Sequence, residues 1–272
     1  MYGCFVTEPA DEDGDLGVVF FHNAGFSTAC GHGTIALVTW AIDSGVVPTT
    51  GADTQVIVDA PSGRLITVAR VENGKVSSVR FTNVPSYVEE KLAVATSAGE
   101  VAADIAFGGA FYASVHAPDL GLGVRSSDLN ALIALGREIK HDIEKERQIV
   151  HPLEPELRDI YGVIFYEDDD DGEFAQRNVT IFADGEVDRS PCGSGTSARL
   201  ALLDKSGSLP RGDTLVHKGI AGGVFRGRVT GDGDVAGTPA VITEVEGQAF
   251  VSGYSHFVLD PDDPIGTGFL LR

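Results

Sequence analysis

The chain has 272 residues, 43% of them hydrophobic, with 34 glycines and a formal net charge of −20. That length can bury a real core in one domain or two, and the glycine excess implies many turns and close backbone approaches. The charge excludes a nucleic-acid partner, which requires basic patches, and no uncharged apolar run of about 18 residues is present to span a membrane.

Taken in order, residues 2–7 and 17–22 read as strands joined by an acidic loop. Apolar spacing predicts a helix over 30–44 that stops at Gly45. Strands are expected near 54–59, 64–71 and 76–84, with Ser62-Gly63 and Asn73-Gly74 as hairpin turns. Residues 101–117 predict two more strands hinged at Gly108-Gly109. Ser127 is the expected cap of the longest helix, 128–147. Strands at 161–167 and 178–183 flank an acidic loop, and a helix is predicted from Cys192 to Lys205. A hairpin-like pair around Ala221-Gly222-Gly223 and strands near 239–245 and 248–259 complete the expectation.

Two segments carry the chemistry. Ala29-Cys-Gly-His-Gly-Thr-Ile-Ala-Leu-Val38 and Asp188-Arg-Ser-Pro-Cys-Gly-Ser-Gly-Thr196 each place Cys-Gly-x-Gly-Thr before a helical pattern. A cysteine at a helix start meets unpaired N–H groups and the positive end of the macrodipole, which favour thiolate over thiol. The glycines let an anion approach those N–H groups. The halves share an order of strand, motif helix and glycine-turned hairpin, so the sequence predicts an internal duplication: two mixed α/β lobes with a cleft between them.

Two acid/base groups on opposite sides of a ligand suit proton removal from one face of a stereocentre and return to the other. The N–H groups would stabilise charge developing on a carboxylate, so no cofactor is required. His32 is either a backbone-bonded helix-start histidine or a ligand contact. Asp188 is either a turn residue paired with Arg189 or the partner of a substrate ammonium. Cys4 reads as a small hydrophobe on a strand. No closely spaced thiolate pair supports zinc at Cys30, His32 and Cys192, and no C-x-x-C supports disulfide exchange. A non-catalytic amino-acid-binding module is the other reading.

The residues that follow extend the pattern. His22-Asn-Ala-Gly-Phe-Ser27, the Cys30 motif, Asp104-Ile-Ala-Phe-Gly-Gly-Ala-Phe-Tyr112, the Asp188–Thr196 block, and Asp260-Pro-Asp-Asp-Pro264 with Gly268-Phe-Leu-Leu271 resemble the proline racemase family. That family also holds 4-hydroxyproline epimerases and trans-3-hydroxy-L-proline dehydratases. The resemblance implies an α+β, diaminopimelate-epimerase-like fold with two pseudo-symmetric lobes, each a curved sheet around a central helix. On that basis residues 1–90 form the first lobe, 91–257 the second, and 258–272 return to the first. The resemblance makes Cys30 and Cys192 the acid/base pair. It gives the substrate carboxylate to backbone groups of Gly31, His32, Gly193 and Ser194, and the ring nitrogen to Asp188 and the His32 side chain. The implied partner is a small imino acid, with a homodimer as the expected assembly.

Family dehydratases look similar but carry threonine at the position of Cys192, since elimination of a 3-hydroxyl needs Cα–H removal on one face only. Two thiols favour racemisation or epimerisation. Hydroxyproline epimerases tend to place a histidine near Tyr161-Gly-Val-Ile164, where none stands here, and Phe182, with Tyr2, forms an aromatic wall suited to a pyrrolidine ring. Asn178-Val-Thr-Ile-Phe-Ala-Asp184 instead looks closest to the dehydratase branch. Family members also carry several tens of residues before the segment matching Tyr2, so a late start and an unpaired first-lobe edge are expected.

No basic-then-apolar leader opens the chain, and three cysteines argue against a disulfide framework, so a cytoplasmic location is expected. Asp168–Asp171 reads as a solvated loop rather than a metal site. Abundant acid with few lysines predicts a high-salt source, where screening removes self-repulsion.

Overall fold

The computed structural model describes residues 2–172 and 174–268. Strand β1 (Tyr2–Thr7) pairs antiparallel with β2 (Leu16–His22), and β3 (Gly25–Ser27) folds back on β2. Helix α1 (Gly31–Asp43) leads to β4 (Asp53–Ala60), which lies parallel to β2 and opens a meander with β5 (Gly63–Glu72) and β6 (Lys75–Thr82). Next come β7 (Tyr87–Thr96), β8 (Gly99–Phe107), β9 (Phe111–His116), a short 3₁₀ turn and α2 (Leu129–Glu146).

The opening order then returns. β10 (Ile160–Asp168) pairs antiparallel with β11 (Ala175–Phe182), and β12 (Glu186–Val187) folds back on β11. Helix α3 (Gly193–Ser206) leads to β13 (Leu215–Gly219), parallel to β11, and to the meander of β14 (Val224–Val235) and β15 (Thr238–Gly247). The hydrogen-bonded path runs β1-β2-β4-β5-β6-β15-β14-β13-β11-β10-β9-β8-β7. It is symmetric about the β6–β15 pair as far as β1 and β10, so these two stretches repeat one topology, and β7–β9 with α2 lie between them in the chain.

Burial follows the alternation in the sequence. One core collects Phe20, Ile35, Val38, Val56, Val58, Phe81 and Val245 around α1, and reaches α3 through Leu200 and Phe225. The other collects Phe107, Phe111, Leu132, Ile139, Ile160 and Phe165. Helix α2 buries Leu132, Leu135, Gly136, Ile139 and Ile143, the spacing of one apolar stripe.

Several expectations need correction. Ser127 does not cap α2: the cap position is Asp128, whose side chain makes no cap bond. Its Oδ2 instead accepts from the Gly123 N–H and Arg125 Nε, both at 2.8 Å. Strand β7 escaped prediction because Glu89-Glu90-Lys91 hides its alternation and a register shift falls between Val88 and Glu90. Among the described residues, 248–259 form no strand. β15 is flanked by β14 and β6; after Gly247 the described residues leave the sheet without joining either end strand, β1 or β7, and Phe250 is 83% exposed. Residues 269–272, the end of the expected return to the first lobe, lie outside the described residues. At the other extreme, β1 is an edge strand carrying Phe5, 59% exposed.

Candidate active site

The two helix starts meet. A Cβ added to Gly31 would lie 2.7 Å from the Gly193 Cα, and one added to Gly193 would lie 2.7 Å from the Gly31 Cα. Only glycine allows that approach, which accounts for the residue after each cysteine. The second glycine of each motif clears the sulfur: a Cβ on Gly33 would sit 3.1 Å from the Cys30 Sγ, and one on Gly195 2.9 Å from the Cys192 Sγ. The closing threonines also match, with Thr34 Oγ1 donating to the Cys30 carbonyl at 2.9 Å and Thr196 Oγ1 to the Cys192 carbonyl at 2.8 Å.

A cavity of about 590 Å³ opens at this junction, and Cys30, Gly31, His32, Phe182, Asp188, Cys192, Gly193 and Ser194 all line it. All eight residues singled out from the sequence are thus brought together. Tyr2, Tyr112 and Tyr161 line it as well. Phe182 stacks on Tyr161 at 5.6 Å between ring centroids and meets Tyr2 edge-on at 6.1 Å. Cys4, half-buried on β1, also touches the cavity wall.

The two cysteines differ in local geometry. Cys30 has an extended backbone (φ −152°) and its Sγ accepts the Gly33 N–H at 3.1 Å, capping its own helix. Cys192 has φ +62° and makes no cap bond. That left-handed conformation costs a β-carbon residue about 1–2 kcal/mol. It is held by the Ser190 hydroxyl, which accepts the Cys192 N–H at 3.1 Å, and by Thr196, whose hydroxyl lies 2.8 Å from the His217 Nδ1. The Cys192 Sγ lies 3.5 Å from the Tyr112 hydroxyl.

Asp188 Oδ1 accepts from the Ser190 N–H and hydroxyl, each at 2.8 Å. No ion pair with Arg189 is found among the described residues, so Asp188 is turned to the cavity. Burial raises its carboxyl above the usual range and lowers His32, which faces it. The expectation that the helix ends depress both thiols is overturned: burial pushes Cys30 and Cys192 each up to about 12. Removal from water outweighs the Tyr2 hydroxyl and the Gly33 amide at Cys30, and the Tyr112 hydroxyl and the Gly195 amide at Cys192.

Sequence reading missed Tyr112, Tyr161 and His22. Each repeat opens on Tyr-Gly, at Tyr2-Gly3 and Tyr161-Gly162, a signal that could have found Tyr161. His22 rests against Tyr161 at 5.9 Å and Phe182 at 5.7 Å, inside the aromatic wall. Among the described residues no cluster of three metal-ligating side chains occurs, and no helix is long and apolar enough to cross a membrane.

Duplicated lobes that meet on one cavity, with a thiol at each helix start, define the architecture of a two-lobed isomerase. The family model described as proline racemase matches residues 1–270. A Bacillus cereus protein named trans-3-hydroxy-L-proline dehydratase is 47% identical over 272 residues, covering 100% of this chain and 81% of the relative. A Burkholderia multivorans 3-hydroxyproline 2-epimerase is 45% identical over 274 residues, covering 100% of this chain and 82% of the relative. The crystal structure of a hydroxyproline epimerase from Agrobacterium vitis, with bound trans-4-OH-L-proline, superposes with TM-score 0.93 at 34% identity, covering 98% of this chain and 77% of that one. The chain belongs to the proline racemase family.

Proposed function

We propose that this protein is a cofactor-independent racemase or epimerase acting at the α-carbon of proline or a hydroxyproline, with Cys30 and Cys192 as the two acid/base groups. The observation that carries the reading is the meeting of two helix starts at Gly31 and Gly193, each flanked by a thiol on one shared cavity. One thiolate takes the α-proton from one face, and the opposite thiol delivers its proton to the other face. The backbone N–H groups of Gly31, His32, Gly193 and Ser194 hold the carboxylate and the charge that develops on it. Asp188 and His32 receive the ring nitrogen, while Phe182, Tyr161 and Tyr2 pack the ring. The substrate's ammonium replaces solvation that burial removes, and so lowers the thiol that must act as base.

Dehydration of trans-3-hydroxy-L-proline is the second reading, favoured by the name of the 47%-identical Bacillus relative. Incubation in D₂O with L-proline, trans-4-hydroxy-L-proline and trans-3-hydroxy-L-proline separates the two. The first reading expects deuterium at the α-carbon, with loss of optical rotation from proline or a shift to the epimer's rotation from a hydroxyproline. Formation of a cyclic imine from the 3-hydroxy substrate, without inversion of any substrate, would overturn it.

A further inference from the structure

Tyr112 is buried completely and stands on β9, which pairs with β10. Its ring packs with Ala106, Ala110, Ile164, Ala198 and Cys192. Among the described residues its hydroxyl has two hydrogen-bond partners, the Cys192 Sγ at 3.5 Å and the Ser194 Oγ at 2.7 Å. A phenol so placed sits between a proposed acid/base group and a residue of the proposed carboxylate cradle. The Cys192 sulfur makes no side-chain cap bond to α3, whereas Cys30 takes the Gly33 amide; of the groups that favour the Cys192 thiolate against burial, the Tyr112 hydroxyl is the strongest, ahead of the Gly195 amide.

Resting on the reaction proposed above, we infer that Tyr112 is a catalytic residue of the Cys192 half-site, donating its O–H to the Cys192 sulfur when that sulfur is a thiolate and to Ser194 Oγ when it is a thiol. The proton balance is simple. When Cys192 abstracts the α-proton, the C–H bond breaks, an S–H bond forms, and the phenol proton swings from sulfur to the serine oxygen without leaving Tyr112. In the reverse direction the S–H proton goes to carbon and the phenol turns back. Burial raises Tyr112 well above the ordinary phenol range, so the group stays neutral and acts as a donor rather than as a base.

The test is Tyr112→Phe, which preserves the ring. One hydrogen bond to a charged group predicts a loss of about 10- to 100-fold in kcat/KM. The overall equilibrium forces that loss to be equal in both directions. The primary isotope effect from α-deuterated substrate is not so bound: it should grow in the direction where Cys192 is the base and shrink in the other. A merely structural defect would lower turnover without unbalancing the two.

A second readout needs no turnover. Peptide-resolved alkylation against pH should move the Cys192 midpoint up in Tyr112→Phe and leave Cys30 unchanged. Fluorotyrosine at position 112, a stronger donor of nearly the same shape, should move it down. If the Cys192 midpoint moves no further than that of Cys30 in both proteins, the inference falls. If the midpoints separate while the wild type exchanges no α-proton of any proline, the Tyr112–Cys192 coupling stands and the reaction proposed above falls instead.

Discussion

The two Cys-Gly-x-Gly-Thr motifs are alike in sequence and unlike in service. Both glycine pairs clear the same spaces, and both threonines hold a cysteine carbonyl. Yet Cys30 sits in relaxed, extended backbone with its sulfur on a helix amide, while Cys192 sits in a left-handed conformation with its sulfur turned to a phenol. A repeated motif therefore fixes where a functional atom is delivered, and the neighbouring strands decide what that atom experiences.

The bluntest way to break the comparison is to remove each sulfur. Cys30→Ser and Cys192→Ser should each lower turnover by about 10²- to 10⁴-fold, measured as interconversion of the two α-epimers, and full turnover in either would remove that cysteine from the acid/base pair. Gly193→Ala drives a Cβ to within 2.7 Å of the Gly31 Cα. It should cost about 1–3 kcal/mol of stability, read as a lower midpoint in urea.

His217 sharpens the contrast through pH, because the first motif has no counterpart to it. Burial lowers His217 to about 3, and its Nε2 has no partner among the described residues. The folded state keeps this ring neutral while the unfolded chain takes up a proton below about 6.5. Its contribution is thus complete above that pH and is lost on acidification toward about 3, at up to about 1.4 kcal/mol per pH unit. His217→Gln should flatten that part of a pH–stability curve.

A smaller difference concerns the backbone. Cys192→Gly should be more stable than Cys192→Ala by about 1 kcal/mol, because glycine tolerates φ +62°. At Cys30 the order should reverse. Smallest is the effect of the surface: with a net charge of −20, the melting temperature should rise from dilute buffer to molar KCl, and no rise would remove the high-salt expectation.

Helix starts, hairpins and the duplication were legible because each rests on local rules: glycine turns, apolar period and a motif written twice. The cavity lining was legible through the same motif together with the family resemblance. Three things were not. The strain at Cys192 depends on how Ser190 and Thr196 grip the chain, and Pro191, which stands where Ala29 precedes Cys30, does not by itself report a left-handed cysteine. The rise of both thiols reflects how much water is excluded by Phe20, Phe182 and Tyr161, which come from distant strands. Whether 248–259 becomes a strand depends on which sheet edge the segment meets, which no local pattern reports.

Gly31 and Gly193 come so close that neither can carry a side chain, so an anion held by their amides is gripped by both halves of the fold at once. Occupancy of the site and cohesion of the two halves are thereby linked, and loosening one loosens the other.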